Sequence, residues 1–182
     1  MITGKKVLLR QMRDKDWPIF ENWGQNRDEL WGPYQRFQLD HLPLLKEIYQ
    51  KNGLLSRESG ILLIETLDEH RVVGFVRYSM LSIPDADYPY PEIGFGIPEE
   101  SNRRKGYGSE GVRLLVAYLF SGYSCERIAA FTDLDNLPAQ GIMENMGFQR
   151  EGIIRKGLFR DGSWHDAALY GILRDEFKGK VS

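Results

Sequence analysis

The sequence holds 182 residues with a formal net charge of −2, 42% of them hydrophobic and 27% charged. That is an ordinary globular composition, long enough to bury a sizeable core as one domain over 1–182, and a near-neutral charge argues against a nucleic-acid partner. No apolar run approaches the roughly 18 residues of a membrane span, the opening Met-Ile-Thr-Gly-Lys-Lys lacks the apolar stretch of a signal peptide, and a lone Cys125 with three scattered histidines offers neither a disulfide framework nor a metal cluster.

In chain order, residues 6–12 read as a first strand. A helix is expected over 14–23, with Asp14 as N-cap and Asp16 favourable in the first turn. Residues 22–38 have no clear period and read as a loop or broken helix carrying Trp31, Tyr34 and Phe37. A helix over 41–50, starting at His41, stops near Asn52-Gly53. Strands at 61–65 and 72–78 are split by the charged turn 68–71. The prolines in 82–91 exclude an interior strand and leave a loop with Asp85, Asp87, Tyr88 and Tyr90.

The strand 92–97 is the most informative. Side chains alternate faces, so Ile93, Phe95 and Ile97 share the core face and Glu92, Gly94 and Gly96 the other. The second face carries one carboxylate and two glycines, which suits the close approach of a ligand or of a neighbouring strand. After the polar run 98–105 comes a helix, with Val112, Leu115, Val116, Leu119 and Phe120 at helical spacing. A strand at 128–131 leads to Asn136, which precedes Leu137-Pro138 as a cap-like start to a short helix ending at Met146-Gly147. Two strand patterns, 148–159 and 163–173, flank Arg160-Asp161-Gly162, and Asp-Gly there signals a hairpin. His165 sits near its tip; a histidine there is normally a surface or cross-strand residue, although its ordinary pKa keeps it eligible as a base.

The loop Arg103-Arg104-Lys105-Gly106-Tyr107-Gly108-Ser109 joins cations and glycines to a helix start, whose free N–H groups and dipole attract anions. It reads as a solvated basic turn, as a dinucleotide fingerprint Gly106-x-Gly108-x-x-Gly111 with Asp133 downstream, or as a phosphate loop of another kind. The fingerprint needs a strand ending at its first glycine, whereas eight polar-run residues intervene here, 98–105.

Arg103-x-x-Gly106-x-Gly108 resembles the Arg/Gln-x-x-Gly-x-Gly/Ala pyrophosphate loop of the GNAT superfamily of N-acetyltransferases. The following helix, the strand 128–131, Asn136 and Met146-Gly147-Phe148 are similar to that family in the same order. The likeness covers nearly the whole chain and is closest to the branch that acetylates N-termini of ribosomal proteins. It implies an α/β (α+β) fold with a mixed, largely antiparallel sheet of about seven strands flanked by helices. It also implies acetyl-CoA as co-substrate with no metal, and a small-molecule amine or a peptide N-terminus as acceptor. A cytoplasmic protein that acts alone or as a homodimer fits that reading.

By the same resemblance, Arg103, Arg104, Lys105, Gly106, Tyr107, Gly108, Ser109 and Asn136 would hold the cofactor. The pantetheine arm would slip between the strands 92–97 and 128–131, and a backbone N–H near Phe95, Gly96 or Ile97 would bind the developing oxyanion, a contact worth roughly 3 kcal/mol of barrier. Glu92 is then the candidate general base. The chain departs from the family at Met143, where many relatives carry a tyrosine, and at Ala139, where the nearer branch often has serine. The acid is left among Tyr170, a loop tyrosine such as Tyr88, and water. Asp85, Asp87, Tyr88, Tyr90, Trp31 and Tyr34 would form an acidic aromatic mouth, or be ordinary loop residues. The competing function is a catalytically degenerate module that binds acyl-CoA as a sensor.

Overall fold

A computed structural model describes residues 1–26, 30–34 and 42–179. Phe37 and His41 lie outside them. The described elements share one sheet of eight strands in the order β1-β2-β3-β4-β5-β6-β8-β7. The strands are β1 (Ile2–Thr3), β2 (Val7–Arg10), β3 (Ser59–Thr66), β4 (Val72–Leu81), β5 (Tyr90–Gly96), β6 (Arg127–Asp133), β7 (Gln149–Arg160) and β8 (Ser163–Leu173). All neighbours are antiparallel except β5 and β6. The excess over the expected seven is β1, a two-residue strand too short to show a period. The fifth strand starts earlier than expected, at Tyr90 and Pro91, which pair with Leu81 and Met80.

Helix α1 (Trp17–Gln25) and helix α2 (Leu42–Asn52) lie on one face, α3 (Tyr107–Gly122) and α4 (Leu137–Asn145) on the other. The apolar stripe of α3, Val112, Leu115, Val116, Leu119 and Phe120, is buried against Ile64, Val76, Ile93 and Ile128. Burying each such side chain contributes about 1.5–3 kcal/mol. A Cβ on Gly111 would meet Ile64 Cδ1 at 2.8 Å, so the helix approaches the sheet at a distance only glycine allows. On the opposite face Met12, Leu54 and Leu63 pack with Trp17, Phe20, Tyr49 and Phe75. The β7–β8 turn has Asp161 at φ 49° and Gly162 at φ 75°, the two left-handed residues that Asp-Gly supplies. No described helix is long and apolar enough to cross a membrane.

The start of α1 differs from expectation because Asp14 and Asp16 are drawn elsewhere. Residues Asp14–Asp16 form a 3₁₀ turn ahead of the helix. Asp14 does not cap it; its carboxylate accepts from Tyr49 Oη at 2.8 Å. Asp16 is buried and accepts Arg10 Nη1 at 2.6 Å, Arg10 Nη2 at 2.9 Å and the Arg13 N–H at 2.8 Å. The Arg10 Nε donates to Glu65 Oε2 at 2.5 Å, so one buried guanidinium ties β2, β3 and α1 together.

Burial works to raise the carboxyls of Asp16 and Glu65, but the hydrogen bonds from Arg10 outweigh it and both lie below the usual carboxylate range. Groups depressed in this way stabilise the fold above their unfolded pKa of about 4, and the contribution is lost as pH falls through the folded value. Replacing Arg10 with leucine takes the guanidinium from two buried carboxylates, leaving Asp16 the Arg13 N–H and Glu65 the His70 ring 3.3 Å away, which costs about 3–5 kcal/mol. Denaturant midpoints should show that loss at pH 7 and a smaller one below pH ~4, where the carboxyls of the unfolded chain and of the variant take up protons and the advantage of the parent's ionised pair shrinks. A loss under about 1 kcal/mol at pH 7 would contradict the tie.

Candidate active site

Strands β5 and β6 share only two register pairs, Glu92 with Ala129 and Ile93 with Ala130. Beyond them β5 stays with β4 as far as Gly96, and β6 stays with β8 as far as Asp133. Gly94, Phe95 and Gly96 on one side, and Phe131, Thr132 and Asp133 on the other, therefore edge a cleft with no ladder partner across it. Two facing edges of unpaired backbone are a template for an extended ligand lying between them.

The basic loop closes the wide end. Gly106 is the residue before α3, at φ 87° and ψ 0°, and Arg104 is also left-handed at φ 58°. The first intrahelical bond there is Glu110 N–H to Gly106 O at 3.0 Å, which leaves the amides of Tyr107, Gly108 and Ser109 without helical partners. Gly108 is buried: a Cβ would stand 3.4 Å from Ile97 Cγ1 and 3.5 Å from Phe95 Cε2, so the helix start is seated on the end of β5. Arg104, Lys105 and Ser109 are exposed, and Tyr107 packs into the core.

Arg103, expected among the phosphate cations, is turned away from the loop. Its Nε donates to Ile97 O at 3.0 Å, and its Nη2 to the carbonyls of Pro98 and Leu30. It fastens the turn after β5 to the segment 30–34 on the other face. The physical reason is that two carbonyls of the turn and one of the segment 30–34 need donors, and a guanidinium supplies several at once.

The face of Glu92, Gly94 and Gly96 is not bare. The Arg77 side chain, from the residue paired with Gly94, lies over that glycine, 2.9 Å from where a Cβ would be. Its Nη1 and Nη2 donate to Glu92 at 2.9 and 3.3 Å, and Ser79 Oγ donates to the same carboxylate at 3.3 Å. Trp31 covers Gly96, whose Cβ would sit 2.7 Å from Trp31 Cζ3. The glycines thus make room for this chain's own side chains. Glu92 is buried at the last closed pairs of the ladder, on the face opposite α3.

Asn136 caps α4, its Oδ1 accepting Ala139 N–H at 3.3 Å. Tyr170 is fully buried beneath α4, donating to Glu144 Oε1 at 2.8 Å and lying 3.2 Å from Gln140 Oε1. Burial first, then the bond to Glu144, pushes its hydroxyl up to about 12. With no exposed surface, it does not reach the cleft as the expected acid would have to. At the far lip Asp133 accepts Arg160 Nε at 2.6 Å, with His165 Nδ1 4.0 Å from the same carboxylate and Tyr34 stacked 5.4 Å from the guanidinium. Burial opposes that ionised carboxylate, yet Arg160 holds Asp133 below the usual range.

The expected aromatic mouth does not assemble. Trp31 and Tyr34 lie at the open end, whereas Tyr90 pairs with Leu81 at the start of β5 and stacks on Arg127. The loop bearing Asp85, Asp87 and Tyr88 joins β4 to β5 at that same distant end, a strand length of about 20 Å away. Arg77 and Arg160 stand beside the cleft without having been singled out in the sequence, and Asp133 figures there only as the acid downstream of the dinucleotide fingerprint. Period-two alternation puts Arg77 on the face of Phe75, but only the strand register sets it opposite Gly94.

Residues 6–149 match the family profile described as an acetyltransferase (GNAT) domain. The probable N-acetyltransferase YjcK of Bacillus subtilis (strain 168) is 32% identical over 184 residues, 97% of this chain and 98% of its own. The spermidine N-acetyltransferase from Vibrio cholerae, solved with CoA and spermine, superposes with a TM-score of 0.76 at 20% identity, covering 97% of this chain and 100% of that one. Ribosomal-protein-S5-alanine acetyltransferase from Vibrio fischeri gives a TM-score of 0.76 at 20% identity over 97% and 98%. At those identities the two solved structures bear on the fold.

The two adjacent arginines of the loop should separate in a stability measurement. Hydrogen bonds from charged donors contribute roughly 1.5–3 kcal/mol, so Arg103→Gln should lose about that much in denaturant unfolding. Arg104→Gln, at an exposed side chain, should stay within about 0.5 kcal/mol of the parent. Equal stability of the two variants would contradict the tie made by Arg103.

Proposed function

This chain belongs to the GNAT family of N-acetyltransferases, and from that premise we propose that it transfers the acetyl group of acetyl-CoA to a primary amine by direct attack in a ternary complex. The observation that carries the reading is the parting of β5 from β6 beside the free amides of α3. The loop residues 104–109 offer backbone N–H groups and the exposed cations Arg104 and Lys105 to a pyrophosphate. The cleft edges at 94–96 and 131–133 suit a pantetheine arm running as an added strand, with Asn136 at the lip of the same opening. A backbone N–H near Phe95, Gly96 or Ile97 would receive the carbonyl oxygen as negative charge develops on it.

The amine comes from the Glu92 face, opposite α3, between Arg77 and the Asp133–Arg160 pair. Its nitrogen attacks the thioester carbonyl carbon; the C–N bond forms, the C–S bond breaks and CoA leaves as thiolate. The ammonium must lose one proton before or during attack, which Glu92 takes through a water, and the nitrogen of the adduct gives up a second as the C–S bond breaks, to water or to the departing thiolate. Arg77 holds the carboxylate in one orientation by two N–H donors, which leaves the remaining lone pairs to that water. A thiolate leaving group with a pKa near ~8.5 needs no dedicated acid at neutral pH, which agrees with the commitment of Tyr170 to Glu144. The acceptor is a small amine or a protein N-terminus, and a cytoplasmic setting suits the buried, unpaired Cys125.

Free-thiol release from acetyl-CoA, measured across a panel of polyamines, amino acids and N-terminal peptides, tests the reading. At least one amine should raise release far above the amine-free rate. With that amine, Glu92→Gln should lower turnover by about 10²–10⁴-fold with little change in acetyl-CoA affinity, and the loss should shrink at high pH, where more amine arrives unprotonated. Turnover within about threefold of wild type at pH 7 would remove Glu92 as the base.

A further inference from the structure

The geometry points to Lys6, some hundred residues before the loop, as a ligand for the phosphates of the co-substrate. This rests on the acetyl-CoA reading above and extends it to a residue outside the loop motif. The starting observation is an awkward carboxylate. Glu110 lies in the first turn of α3, where its charge favours the helix dipole but would repel a phosphate on the same amides. Its oxygens instead accept three successive backbone N–H groups from the β1–β2 turn: Lys5 at 2.5 Å, Lys6 at 2.9 Å and Val7 at 3.2 Å. Three such donors offset the negative charge next to the anion site.

The same clamp fixes where Lys6 goes. Gly4 N–H donates to Val7 O at 2.8 Å to close the turn, and a Cβ on Gly4 would stand 2.6 Å from Glu110 Oε1, so any side chain there would have to displace the clamping carboxylate. Lys6 Nζ then donates to Lys105 O at 3.1 Å and lies 3.5 Å from the position of a Cβ on Gly106, the residue from which the free amides of α3 begin. An ammonium has three donors, and this contact uses one. Arg103 carries its charge away to three carbonyls. Lys6 brings a replacement to the loop, beside the exposed Arg104 and Lys105. Lys5, anchored through the same carboxylate, makes no side-chain hydrogen bond or ion pair with the loop among the described residues.

Calorimetric titration with acetyl-CoA tests this at two ionic strengths. Lys6→Gln should weaken binding about five- to tenfold at low salt, with a smaller factor at 0.5 M salt, since an exposed charge contact is screened over a few ångströms there. Lys6→Arg should bind within about twofold of the parent, and so should Lys5→Gln, which removes the same formal charge from the same turn. Thermal melts of all three should match the parent, because both lysines are exposed. The assignment is overturned if Lys6→Gln binds within twofold at low salt, or if Lys5→Gln loses as much as Lys6→Gln. Wild-type protein that binds no acetyl-CoA overturns the underlying reading instead, and this assignment with it.

Discussion

After Ile93 and Ala130 the two central parallel strands stop sharing hydrogen bonds, and each keeps faith with its antiparallel neighbour instead. The sheet is in effect two twisted halves hinged at two residue pairs. Antiparallel ladders hold each half, α3 locks β2 to β5 from one side, and α4 packs over β6 and β8. Backbone amides and carbonyls left open at such a split are costly unless water or a ligand meets them. Every feature of the site is placed by that divergence: the helix amides at its wide end, Glu92 at its closed end, and Asp133 with Arg160 on the far lip.

Arginines hold the frame around this opening more than they await a ligand. Arg10 gathers two buried carboxylates, Arg103 gathers three carbonyls, Arg77 aligns Glu92 and Arg160 is paired with Asp133. The planar fork explains the choice, since it offers several donors in fixed directions where a lysine offers a point charge. The cations with freedom to meet phosphate are the exposed ones at the loop.

Much of the fold could be read in the sequence because local rules decide it. The 3.6-residue stripe of α3, the Asp161-Gly162 turn, the Asn136 cap and the alternation of β5 all depend on residues a few positions apart. What escaped depends on register and strand direction. Arg103 and Arg104 are adjacent arginines both expected to hold the cofactor, yet one faces three carbonyls and the other solvent. Gly94 and Gly96 read as space for a ligand, but cross-strand pairing fills them with Arg77 and Trp31. The aspartates and tyrosines of 85–90 and the aromatics of 31–34 looked like one mouth; the direction of β5 sets them at opposite ends of a strand. Asp14 looked like a cap until Tyr49, from another helix, claimed it.

The central claim is that the gap between β5 and β6 is where acetyl-CoA lies, and a crystal structure of the protein grown with CoA tests it most directly. The account predicts the pyrophosphate on the N–H groups of residues 104–109, and the pantetheine arm between 94–96 and 131–133, hydrogen-bonded to backbone on at least one edge. CoA bound elsewhere on the molecule, with the two strand edges bridged only by water, would contradict it.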